Sequence, residues 1–209
     1  MYFRNLRDDT SGELSYLIAD VRSREAVLVD PRPNDVSLLS ALLAEQQLVL
    51  RWVLRTHHHD VQISADWTAL SRLGGRIVQS DAYESSYTPE NHEKLPFGSE
   101  FIQVMYSPGH TSHCLSFLWR DRLFCGGLLD VSQCSHQPFA AEPALLWDTR
   151  QQILKLPIET LLFSSHAKDS CSISSLMDQR RMNPFFGNLS RDEFMKSMAS
   201  LRTNSFQSP

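Results

Sequence analysis

The residues best suited to chemistry are histidines, eight in a chain of 209, and the densest group is Thr56-His57-His58-His59-Asp60. On an extended backbone residues i and i+2 project to the same side, so His57 and His59 can reach one metal ion while His58 points away. His110, behind Pro108-Gly109, could add a third imidazole, and a neutral three-nitrogen shell suits zinc or iron. His166 is a fourth candidate. By spacing alone the H-x-H pair fits ordinary surface or hydrogen-bonded core histidines better than a metal pair. Cys114, Cys125, Cys134 and Cys171 form no C-x-x-C pair and read as reduced packing residues.

These histidines need strands to deliver them. Two apolar runs, Leu14 to Ala19 and Ala26 to Val29, read as a hairpin that Pro31 and Pro33 terminate. Asn34 or Asp35 can cap a helix running to about Gln47. Leu48 to Leu54 is a strand leading straight into the histidine cluster, at the carboxyl end where open α/β sheets place their sites. Ser64 to Leu73 reads as a helix closed by Gly74-Gly75, and Arg76 to Gln79 as a short strand. Asp81 to Ser99 has no clear period and is expected to be a loop. Phe101 to Tyr106 is a strand delivering His110, and Leu115 to Trp119 with Leu123 to Cys125 form a second hairpin. Ala144 to Leu154 can be helical, Leu161 to Ser164 is a strand ending near His166, and Ser190-x-x-Glu193 is a capping box before a last helix. The alternation argues for α/β layers.

With 42% apolar and 21% charged residues, residues 1–209 are expected to form one domain with a sizeable core. No apolar run reaches the roughly 18 residues that span a bilayer, and Arg4, Arg7, Asp8 and Asp9 stand where a signal peptide needs an apolar stretch. A cytoplasmic protein is expected. The net charge of −4 provides no electrostatic footprint for nucleic acid or an anionic membrane, so neither is expected as a partner.

Several segments together resemble the metallo-β-lactamase superfamily, and within it the persulfide dioxygenases of sulfide oxidation. They are YLIADVRSREAVLVDP at Tyr16 to Pro31, RTHHHD at Arg55 to Asp60, SPGHTSHCLSF at Ser107 to Phe117, LFCGGLLDVSQC at Leu123 to Cys134, LPIETLLFSSHAK at Leu156 to Lys168, and Asn183-Pro184. The resemblance implies a four-layer αβ/βα sandwich with the metal between two sheets, one iron (or zinc) ion and a glutathione-persulfide-type thiol substrate. A glyoxalase II-like thioester hydrolase is a weaker likeness, because that family adds a carboxyl-terminal helical region for which this chain has little room.

The motif is degenerate. The signature's aspartate and last histidine fall on Val61 and Gln62, so a dinuclear site is not expected. The carboxylate that completes the single-iron triad with His57 and His110 falls on Gly127, which has no side chain to ligate with. Among substitutes, His59 is the expected third ligand. Asp130 lies at an odd offset on an extended chain, and Asp60 fits only if one residue has been deleted. The family's thiol-gripping positions fall on His136 and Lys168. Gly127→Asp is expected to restore metal affinity unless Gly127 holds a backbone angle open only to glycine.

Two functions follow. One is a divergent persulfide dioxygenase-like metalloprotein with impaired or altered activity, whose catalytic residue is unassigned and whose assembly could be a homodimer. The other is a non-catalytic relative, with or without a metal ion, that uses the fold for binding or regulation.

Overall fold

The structure, a computed structural model, describes residues 1–57, 68–80, 86–128, 139–166 and 173–205, with side chains described through 201. The first sheet is five-stranded in the order β1-β2-β3-β4-β5, from β1 (Tyr2–Arg7), β2 (Leu14–Asp20), β3 (Glu25–Val29), β4 (Val49–Leu54) and β5 (Arg76–Val78). Strands β1 to β3 are antiparallel, and β3, β4 and β5 are parallel. The second sheet is six-stranded in the order β11-β10-β9-β8-β7-β6. Its strands are β6 (Lys94–Phe97), β7 (Glu100–Tyr106), β8 (Leu115–Trp119), β9 (Arg122–Gly126), β10 (Leu161–Ser164) and β11 (Ile173–Ser175). Its one parallel pair is β9 with β10.

Strand alternation builds the layers. In β2, Leu14, Tyr16 and Ile18 enter the core between the sheets, while Leu17 and Ala19 face the outer core. Both faces of β2 are therefore buried, which explains its nearly unbroken apolar run. That outer core is closed by α1 (Val36–Glu45) through Leu39, Leu42 and Leu43, and by Leu70 in the helical turn α2 (68–71). On the second sheet, Met105, Leu123, Cys125 and Leu162 pack outward against α3 (Pro143–Ile153), α4 (Leu176–Met182) and α5 (Arg191–Ser205). The result is the expected four-layer αβ/βα sandwich.

The structure corrects the sequence reading in four places. Residues 94–97, expected in a loop, are strand β6. Pro96 masked it, and proline is tolerated there because β6 is an edge strand. Strand β1 was not expected, since exposed polar residues, Arg4, Asn5 and Arg7, interrupt its apolar ones. The short β11 and α4 were also not foreseen. Asp35 stands at the N-cap of α1, but its carboxylate pairs with Arg32 rather than capping the helix. The Ser190–Glu193 capping box does form. The expected helix start at 64–67 lies outside the described residues. No described helix is long and apolar enough to cross a membrane.

Candidate functional site

The carboxyl ends of β3, β4, β7, β9 and β10 gather at one end of the sandwich, where hydrogen bonds stitch the sheets together. Leu14 N–H donates to the Ser165 carbonyl at 2.9 Å, and Leu115 N–H to the Thr56 carbonyl at 2.7 Å. Here His57, past β4, stands with its ring centroid 5.0 Å from that of His110 and 5.4 Å from that of His166. His110 is buried and the other two are half-buried.

The His110 loop is clamped from behind by α3. Ala141 and Glu142 donate their N–H groups to the carbonyls of His110 and Gly109 at 3.0 and 3.1 Å, and Thr149 Oγ1 donates to the Pro108 carbonyl at 2.7 Å. Gly109 has φ +138°, and a Cβ there would collide with the backbone of Leu146. Glycine is needed on both counts. Cys114 Sγ lies 3.8 Å from His110 Nδ1 and accepts from Thr111 N–H at 3.3 Å.

Beneath His57 lies Asp30, one residue past β3. Its Oδ1 accepts from Thr56 N–H at 2.7 Å, and its Oδ2 from Thr56 Oγ1 at 2.7 Å and from Ser165 Oγ. Thr56 Oγ1 is in turn 2.9 Å from His57 Nδ1. Burial pushes the Asp30 carboxyl above its ordinary range, opposed by the hydrogen bonds from Ser165 and Thr56 and by the charge of Arg55. Sequence reasoning did not single out Asp30 or Ser165. The available signal was an aspartate ending the buried run Ala26 to Val29, where a charge needs a partner.

On the opposite sheet, β9 ends in Gly126-Gly127. Gly126 has φ +60°, and a Cβ on it would stand 2.6 Å from Thr56 Oγ1. Gly127 is not in a left-handed conformation. A Cβ there would instead stand 2.9 Å from both Nδ1 and Cε1 of His110. The expected alternative, a backbone angle reserved for glycine, therefore belongs to Gly126. The constraint at Gly127 is the His110 ring.

Of the expected site residues, the structure brings together His57, His110 and His166, with Gly127 against the His110 ring. His59, Asp60, Val61, Gln62, Asp130, His136 and Lys168 lie outside the described residues, as do Cys134 and Cys171. Among the described residues no three His, Cys, Asp or Glu side chains are arranged to hold a metal ion. Cys125 is a free, buried thiol bonded to the Phe163 carbonyl, and burial pushes its pKa up to about 12.

No family model matches the chain. It is 28% identical over 205 residues to human mitochondrial persulfide dioxygenase ETHE1, covering 95% of this chain and 80% of that protein. It is also 28% identical over 177 residues to a hydroxyacylglutathione hydrolase of Thermosynechococcus vestitus, covering 81% and 69%. The crystal structure of ETHE1 from Myxococcus xanthus superposes with a TM-score of 0.84 at 30% identity, over 100% of this chain and 92% of that one. With the same layers and this identity over nearly the full length of both chains, the protein belongs to the metallo-β-lactamase superfamily, in the family of the ETHE1 persulfide dioxygenases.

Proposed function

We propose that this chain is a divergent ETHE1-like metalloprotein that binds at most one iron or zinc ion and acts weakly on a glutathione-persulfide-type thiol. The observation that carries the reading is the His57–His110 ring pair at 5.0 Å, set against a glycine where the family places its carboxylate. Two adjacent imidazoles suit zinc or iron, but they make only part of a shell. His59 is the proposed third ligand. A metal ion held there would supply Lewis-acid chemistry toward a sulfur atom, and iron, unlike zinc, would supply redox chemistry as well. The chain's own part is to hold the imidazoles in place, through α3 behind His110 and Thr56 behind His57. A ligand set without the carboxylate carries one negative charge fewer, which favours weaker iron retention.

The test is metal titration of the untagged, metal-stripped chain beside a His57→Ala/His110→Ala double variant, with oxygen uptake on glutathione persulfide. One ion per chain, lost in the double variant, and turnover well below that of Myxococcus xanthus ETHE1 assayed in parallel are expected. Two tightly held ions, full retention in the double variant, or equal turnover would overturn the proposal. Gly127 itself favours a second reading, a non-catalytic relative that uses the same cleft for thiol binding. Metal binding without any oxygen uptake would select it.

A further inference from the structure

We infer that a cavity on the outer face of the second sheet is a binding site for a small carboxylate with a short apolar tail, its head received by Arg150. The cavity, about 290 Å³ counted to its open mouth, lies between α3, α5 and the turn Pro184–Phe186. It stands behind the His110 loop, because Leu146 in its wall is also the residue against which Gly109 packs. The described walls are apolar: Leu128, Leu146, Phe186, Phe194 and Met198 are all buried.

The one charged side chain among the described lining residues is Arg150, only 4% exposed. Its Nε and Nη2 donate to the carbonyls of Phe185 and Gly187. The guanidinium stands 4.7 Å from the ring centre of Trp147 and 6.0 Å from that of Phe194. Those contacts account for two of its three nitrogens. Nη1 donates to no group among the described residues, and no described carboxylate pairs with the side chain. Arginine keeps its proton in proteins, so Arg150 is a buried cation with no counter-charge. Burial and the neighbouring Arg180 both act against its charged form. Carbonyl dipoles and ring faces offset part of that cost, but a buried charge is stable chiefly when paired. A carboxylate supplies the missing charge and the acceptors that Nη1 lacks. The apolar walls favour a ligand with a hydrocarbon tail over an inorganic anion, and the volume, at the small end for ligand pockets, admits a tail of a few carbons.

The experiment is calorimetric titration of the full chain with hexanoate, hexan-1-ol and acetate. Hexanoate should bind saturably with half-saturation at or below about 1 mM, a strength within reach of so small a ligand. Hexan-1-ol has the tail without the charge, and acetate the charge without the tail. Each should bind at least roughly tenfold more weakly. Arg150→Gln, which removes the charge, and Met198→Trp, which fills the cavity and leaves Arg150 in place, should each weaken hexanoate binding by a similar factor. Absence of saturable hexanoate binding, equal affinity for hexan-1-ol or acetate, or unchanged affinity in either folded variant overturns the inference. If a variant does not fold, the comparison of the three ligands on the parent chain still decides. No metal ion takes part in this binding, so the result stands apart from the proposed function.

Discussion

Asp20 and Asp30 lie at opposite ends of the β2–β3 hairpin, and so at opposite ends of the sandwich. Each is ringed by donors, and each has a left-handed glycine pressed against its network. Asp20 accepts from Arg22 N–H at 3.1 Å and from Ser99 N–H and Oγ at 3.0 Å, which ties the hairpin tip to the β6–β7 turn. Gly98, at φ +59°, leaves no room there for a Cβ beside Ser23 and Asp20. Asp30 has Thr56 and Ser165 as donors and Gly126 as the glycine. The backbone N–H groups of Ser99 and Arg22 hold the Asp20 carboxyl well below the usual range, whereas burial drives Asp30 above it. One end is a staple whose charge is welcome. The other keeps a carboxyl where its charge is costly, directly under a histidine, as functional sites often do.

The largest way to break this comparison is Asp30→Ala. It strands buried donors and removes a side chain suited to φ 47°, and should cost about 3 kcal/mol in chemical denaturation. A loss under about 1 kcal/mol would mean that Asp30 anchors nothing. The two glycines come next. Gly98→Ala and Gly126→Ala should each cost about 2 kcal/mol through strain and crowding, but only the Gly126 variant should also weaken metal binding, because only it presses on Thr56. Equal metal affinity in the two variants would erase the functional difference between the ends.

Gly127→Asp should lower stability by about 1 kcal/mol, because the His110 ring must shift. It should tighten iron or zinc binding roughly tenfold, the gain of one added ligand interaction of about 1.4 kcal/mol. Calorimetric titration and thermal melting of the variant check both signs, and unchanged affinity in a folded variant would show that a carboxylate at 127 does not face the imidazoles. The smallest effect is at Asp20. Its folded pKa is depressed, so its stabilisation is full above the unfolded value of about 3.9 and is lost as pH falls through the folded value. Asp20→Asn should therefore flatten the acid limb of a stability–pH curve and leave metal binding unchanged; an unaltered limb would break the contrast.

Most strands were legible in the sequence because burial on both sheet faces leaves long apolar runs, as in β2, β3 and β9, whereas the four-layer order was implied by the family resemblance. Strand β6 was hidden by Pro96, which an edge position tolerates, and β1 by the exposed Arg4, Asn5 and Arg7 that interrupt its apolar residues. At the site, local spacing pointed to His57, His110 and His166 as strand-end residues. That His57 packs between His110 and His166, that Gly126 rather than Gly127 carries the left-handed angle, and that Asp30 reaches His57 through Thr56 were decided by the tertiary structure. They depend on residues tens of positions apart meeting at the strand ends, within one sheet for Asp30 and Thr56 and across the two sheets for His57 and His110. Periodicity along one strand records which face is buried, and it carries no information about which side chain the opposite sheet presents.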